Sequence, residues 1–137
     1  MAEARTKDYG VVIAGGGFAG GTLALALANF TPKPLRVALV DAAPRAPMKK
    51  DARGLALSAA ATRLLDAVGL WPALAPNAHP IESIEVTDSP LNADLRPHFL
   101  GFDTELNTGA PSAYLVEAGE FLSVISDAVA AEPAIDV

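Results

Sequence analysis

The stretch Tyr9 to Ala24, Y-G-V-V-I-A-G-G-G-F-A-G-G-T-L-A, limits what this chain can fold into more than any other. An apolar run, Val11 to Ala14, breaks into Gly15-Gly16-Gly17, passes Phe18-Ala19 to Gly20, and becomes Ala/Leu-rich through Ala28. That order predicts a strand, a tight turn and a helix. Gly15, Gly17 and Gly20 fall on G-x-G-x-x-G. In a dinucleotide-binding unit the first glycine makes the turn, the second lets backbone approach a pyrophosphate, and the third lets helix and strand pack closely. The helix start then turns its free N–H groups and positive dipole end toward the phosphates.

By itself the glycine motif fits a Gly-rich turn in an unrelated α/β domain equally well. The residues after it are more specific. Beyond the break Thr31-Pro32-Lys33-Pro34 comes Leu35-Arg36-Val37-Ala38-Leu39-Val40-Asp41, a second β-branched strand that ends in an acid. Gly20 to Asp41 matches the interval of roughly 20 residues expected before a carboxylate that accepts hydrogen bonds from a ribose. The alternative for Asp41 is an ordinary strand-end acid. A carboxylate there repels a 2′-phosphate, so the pattern favours FAD or NAD over NADP.

No charged residue occurs from Tyr9 to Thr31, and hydropathy alone would mark this segment as a signal peptide or a membrane span. The five glycines between Gly15 and Gly21 argue against both, because each costs about 1 kcal/mol relative to Ala inside a helix. Glu3, Arg5, Lys7 and Asp8 ahead of it do not form the purely basic region of a secretory signal. The expectation is a soluble, cytoplasmic chain. At 137 residues it is long enough for a domain with a core. Ten basic and 16 acidic residues give a net charge of −6 with no basic cluster, which argues against nucleic acid or an anionic membrane as a general partner. The absence of cysteine excludes disulfides, thiolate nucleophiles and Cys-ligated zinc. His79 and His98 sit beside prolines in irregular segments and are read as surface residues, so no metal site is expected.

Further along, Ala42 to Asp51 is a Pro-rich, basic loop at the carboxyl end of a strand, where ligands meet parallel sheets. Asp51 to Ser58 leads into a second helix. Ser58 is its expected N-cap, Leu64, Leu65 and Val68 its apolar face, and Gly69 its left-handed stop. Arg53 reaches either a phosphate or ribose, or pairs with Asp51; spacing does not choose between them. Ile81 to Val86 alternates apolar and polar, the pattern of a half-buried strand. Phe121, Leu122, Ile125 and Val129 give a last helix its buried stripe.

The fingerprint, together with D-A-R-G-L-A-L-S-A-A-A-T-R-L-L-D-A-V-G-L-W from Asp51 to Trp71, resembles the FAD-dependent aromatic hydroxylases of ubiquinone biosynthesis. These belong to the class A flavoprotein monooxygenases, the p-hydroxybenzoate hydroxylase-like enzymes. They share a D-x-R-x-x-A-L-S segment and a helix ending in L-G-(L/V)-W. The likeness continues through Pro80 to Asp88 and at Tyr114-Leu115-Val116-Glu117. It implies that Gly15, Gly17 and Gly20 line the FAD pyrophosphate with Phe18 and Ala19 offering backbone beside it. By the same resemblance Asp41 binds the adenosine ribose, and Arg53 lies against the ribityl and pyrophosphate side of the flavin.

The fold class so implied is α/β, a Rossmann-like FAD-binding βαβ unit with the start of a β-rich substrate-binding layer. Residues 1–78 would form the FAD-binding unit and the helix after it, 79–113 part of the substrate layer, and 114–137 a return to the FAD domain. The family uses NAD(P)H as co-substrate and O₂ to hydroxylate an aromatic ring, here a polyprenyl phenol. No catalytic residue is named by the sequence. Where the family commonly has Arg or Gln near the start of the last helix, this chain has Glu117-Ala118-Gly119-Glu120, and no site is carried onto those positions. The family's later G-D and G-D-A-A-H-like motifs do not occur in the sequence up to Val137. An N-terminal piece of a hydroxylase, inactive alone and self-associating through an incomplete sheet, is therefore expected. Peripheral association with a membrane or a biosynthetic complex fits that family. The alternatives are another FAD- or NAD-dependent oxidoreductase and a non-catalytic nucleotide-binding module.

Overall fold

A computed structural model describes residues 8–42, 51–90, 92–103 and 109–137. The Pro-rich basic loop read between Ala42 and Asp51 therefore lies almost wholly outside the described residues. The elements run β1 (Val11–Ala14), α1 (Phe18–Phe30), β2 (Val37–Val40), β3 (Gly54–Ser58), α2 (Ala59–Ala67) and α3 (Trp71–Leu74). After a 3₁₀ turn at Ala75–Asn77 come β4 (His79–Pro80), β5 (Ser83–Thr87), β6 (His98–Asp103), β7 (Ala113–Glu117), α4 (Ala118–Ala131) and β8 (Ile135–Asp136). This is an α/β fold.

Three parallel strands in the order β1-β2-β8 form the first sheet. The register pairs Val11 with Val37 and Ile13 with Leu39, so these side chains share one face. That face is buried: Ile13, Val37, Leu39 and Ile135 pack with Ala24 and Leu25 of α1 and with Phe121, Ile125 and Val129 of α4. Val12 and Val40 point the other way and stay 66% and 56% exposed. Helices thus cover one face of this sheet among the described residues, where a doubly wound sheet has both faces covered. Arg36 ties the strand ends together through an ion pair with Asp136, Nη2 to Oδ2 at 2.5 Å.

A second sheet, antiparallel and ordered β3-β7-β4, packs on the same core. Leu55 and Leu57 alternate inward along β3 and meet Val116 and Tyr114 of β7 across the ladder. Tyr114 in turn makes an edge-on contact with Trp71, ring centroids 5.2 Å apart. The sequence reads residues 54–58 only as a lead into a helix. Their strand form depends on residues more than 50 positions away, which no local pattern reports.

The next helix, α2, starts and stops as the sequence dictates. Ser58 Oγ accepts a hydrogen bond from the Ala61 N–H at 3.2 Å. At the other end Gly69 has φ +79°, its N–H donates to Asp66 O, and the Leu70 N–H donates to Leu65 O. This pair of bonds is the Schellman arrangement, which needs a left-handed residue at that position. Leu65 and Val68 are buried, but Leu64 is 49% exposed, so the apolar face is narrower than the sequence suggests. Leu122 of α4 is likewise only half-buried. Ser58→Ala is expected to lower the unfolding free energy by about 1 kcal/mol. A urea titration reads that change directly, and no shift in midpoint would mean the cap is dispensable.

The alternation at Ile81 to Val86 does give a strand, β5, but not a half-buried one. Every residue of β5 is exposed, because its one partner is β6 and no second layer lies on the ribbon among the described residues. Ile84 and Val86 sit opposite Phe102 and Leu100, so four apolar side chains share one open face. Alternation fixes which side chains share a face; burial needs another element.

Candidate functional site

Parallel pairing decides what stands beside the glycine loop. Ala14 and Val40 are register partners, so the residues that leave each strand, Gly15 and Asp41, leave side by side. The Gly15 N–H donates to Val40 O at 2.7 Å, and the Gly16 N–H donates to Asp41 Oδ2, also at 2.7 Å. The carboxylate predicted to meet a ribose is thus fastened to the turn predicted to meet phosphates. An ionised carboxylate has about four acceptor positions, and the Gly16 N–H takes one of them.

Each motif glycine has its own physical reason. Gly15 turns the chain with φ +102°, a conformation L side chains rarely adopt. Gly20 packs so closely on the turn that a Cβ there would overlap the Gly15 carbonyl oxygen and press on Ile13. Gly17 faces open space, with nothing within 4 Å of a Cβ placed on it. It is also the N-cap of α1, and no side chain caps the helix there. Phe18 and Ala19 begin the helix, and the Phe18 ring lies 5.1 Å from that of Phe121 in the first turn of α4.

That aromatic contact links the glycine loop to Arg53. The α4 start is held by main-chain bonds from Ala118 N–H to Arg53 O at 2.9 Å and from Gly119 N–H to Asp51 O at 2.8 Å. Of the two partners open to Arg53 by sequence, the structure shows Asp51: Nε meets Oδ1 at 2.7 Å and Nη2 meets Oδ2 at 2.6 Å. The hydrogen bonds from Arg53 hold the Asp51 carboxyl below its usual range, and the Asp51 carboxylate raises Arg53 in return. The Arg53 side chain remains 74% exposed, so the pair lies at the surface. Pairs so placed add little to stability.

Gly15, Gly17, Phe18, Ala19, Gly20 and Asp41 therefore converge at one end of the parallel sheet, with Arg53 reached through the start of α4. Two features carry no mark in the sequence. Gly16 supplies the N–H to Asp41 from a position the motif leaves unspecified. A cleft of about 520 Å³ also opens on the outer face of the second sheet, lined by Ala52, Gly54, Asn77, His79, Leu115 and Glu120 among others. Its walls come from segments brought together by the β3–β7 pairing, so no local pattern points to it.

A dinucleotide pyrophosphate needs backbone N–H donors and no side chain in its way. The loop meets both needs: an uncapped helix start, open space at Gly17, and an acid beside the turn. The residues present fit such a group.

No protein-family model matches the chain. Ubiquinone hydroxylase UbiL of Rhodospirillum rubrum is 38% identical over 114 residues, which span 81% of this chain and 24% of UbiL. Among solved structures, PqsL of Pseudomonas aeruginosa, described as a probable FAD-dependent monooxygenase, superposes with TM-score 0.71 at 18% identity. The match covers 93% of this chain and 32% of PqsL. The p-nitrophenol 4-monooxygenase PnpA of Pseudomonas putida gives TM-score 0.68 at 20% identity, covering 93% and 30%. At these identities the structural likeness is one of fold, and the chain spans about a quarter of the length of its curated relative. Glycine loop, strand-end acid, sequence and fold agree: the chain has the fold of the FAD-dependent monooxygenases and is similar to a ubiquinone hydroxylase over part of that protein's length.

Proposed function

We propose that this chain is the FAD-binding portion of a flavin-dependent monooxygenase that hydroxylates a phenolic ring, and that the ring is a polyprenylated ubiquinone precursor. The observation that carries the FAD assignment is the glycine turn bonded to the strand-end acid, Gly16 N–H to Asp41 Oδ2 at 2.7 Å. The ubiquinone assignment is supported by the likeness to UbiL. In this reading Gly15, Gly17 and Gly20 line the pyrophosphate, with Phe18 and Ala19 presenting backbone beside it. Asp41 accepts hydrogen bonds from the adenosine ribose, and Arg53 stands against the ribityl and pyrophosphate side.

When bound, FAD supplies the redox chemistry, with NAD(P)H as reductant and O₂ as the source of the oxygen placed on the ring. The chain's own residues bind, orient and shield that group. None is assigned a catalytic step, and the chain alone is inactive in this reading. No helix among the described residues is long and apolar enough to cross a membrane. We place the protein in the cytoplasm, with the membrane or a biosynthetic complex reached peripherally. The uncovered sheet face at Val12 and Val40 favours self-association of the isolated chain.

The test is a titration of the 137-residue chain with FAD, read by flavin fluorescence and gel filtration. Retained flavin is expected. Asp41→Ala is expected to weaken binding roughly tenfold, the size of one charge-assisted hydrogen bond. Binding that is equally tight for the variant, or a preference for NAD, would remove the assignment.

A further inference from the structure

We infer that Asp51 is a positioning residue, which holds the Arg53 guanidinium for an anionic cofactor group, in contrast to a competing charge that neutralises it. This rests on the FAD-binding reading above. Arg53 has a long side chain with many rotamers, and left alone it samples many orientations. Two parallel bonds donated by Nε and Nη2 to one carboxylate, at 2.7 and 2.6 Å, fix the plane of its fork. The fork has five N–H donors, and Asp51 engages two nitrogens on one edge. The Arg53 side chain is 74% exposed while that of Asp51 is 25% exposed, so the aspartate forms the inner anchor and the arginine the outer, accessible group.

The anchor itself is held by the fold. Asp51 and Arg53 each give a main-chain carbonyl to the first N–H groups of α4, at Gly119 and Ala118. The first turn of α4 carries Phe121, whose ring meets Phe18 at the start of α1 beside the glycine loop. A carboxylate on a segment bonded to the start of α4 therefore sets the position of a cation relative to the pyrophosphate loop. Asp51→Ala and Asp51→Asn leave those main-chain bonds in place, because both bonds use backbone atoms.

Electrostatics alone and positioning give opposite signs, and this makes the inference testable. Both substitutions remove a negative charge near a dianionic pyrophosphate. If Asp51 merely offsets the charge of Arg53, both variants bind FAD more tightly than the wild type, and to a similar degree. If it positions Arg53, Asp51→Ala weakens FAD binding roughly tenfold. Asp51→Asn, which keeps one oxygen to accept from Nε, then falls between Ala and wild type.

The experiment is a FAD titration of the wild-type chain, Asp51→Ala, Asp51→Asn, Arg53→Ala and the Asp51→Ala/Arg53→Ala double variant, with thermal melts of each. The expected result is graded weakening from wild type through Asn to Ala, unchanged melting, and no further loss when Asp51→Ala is added to Arg53→Ala. Tighter or unchanged binding by the Asp51 variants overturns the inference and leaves the FAD assignment standing. Equal losses from Asp51→Ala with and without Arg53 also overturn it, since Asp51 would then act without the arginine. A wild-type chain that binds no FAD overturns both.

Discussion

Gly20→Ala is expected to cost about 3 kcal/mol of stability, the upper end for overpacking, and to abolish FAD binding with it. The added methyl would overlap the carbonyl oxygen of Gly15, a backbone atom that cannot rotate out of the way as a side-chain end can. Relief requires α1 to lift from β1 or the turn at Gly15 to open. The first loses the packing of Ala24 and Leu25 on the sheet, both essentially buried. The second breaks the Gly15 N–H to Val40 O bond and moves Gly16 away from Asp41. A single domain has about 5–15 kcal/mol in total, so the variant should remain folded but melt at a clearly lower temperature. A urea titration gives the stability loss, and a flavin titration at low temperature gives the binding loss. Wild-type stability would mean that the close approach of helix and strand is not required.

The second large effect lies where α1 crosses α4. Ile125 is 1% exposed, and Ile125→Ala is expected to cost about 3–4 kcal/mol, the sum of lost burial and the cavity left behind. Its γ2 methyl fills the space that a Cβ on Gly21 would otherwise take. Gly21→Ala in the wild-type background therefore overpacks the crossing and costs about 1–3 kcal/mol. The two substitutions together should cost less than their sum, because the new alanine methyl enters the cavity left by the isoleucine. Interaction energies between contacting residues are about 0.5–3 kcal/mol. Gly20 offers no such rescue, since its obstacle is main chain. Chemical denaturation of both single variants and the double reads the coupling, and strict additivity would place Gly21 and Ile125 out of contact.

These two sites bear on function as well as stability. The α1–α4 crossing sets Phe18 against Phe121 and so links the glycine loop to the segment that carries Asp51 and Arg53. A variant that loosens the crossing should weaken flavin binding even though Ile125 lies in the core.

The sequence by itself determined the parts whose causes are local. Val11 to Ala14, the three motif glycines, α1 and the acid at position 41 come from residue types and spacing, and the parallel register then places Asp41 beside the turn without further information. The Ser58 cap and the left-handed Gly69 were legible for the same reason: each depends on a few neighbouring residues. Only the tertiary structure decided the rest. Residues 54–58 became a strand because β7 pairs with them, and the cleft on that sheet exists only through the pairing. The ribbon of β5 and β6 kept its alternation but not its burial, since alternation assigns faces and a second layer must cover them. The choice of Asp51 as the partner of Arg53 was one of two that spacing allowed, and a bidentate geometry made it. Local chemistry writes turns, caps and periodicity into a chain; which surfaces meet depends on contacts between distant segments, and those carry no signature in either segment alone.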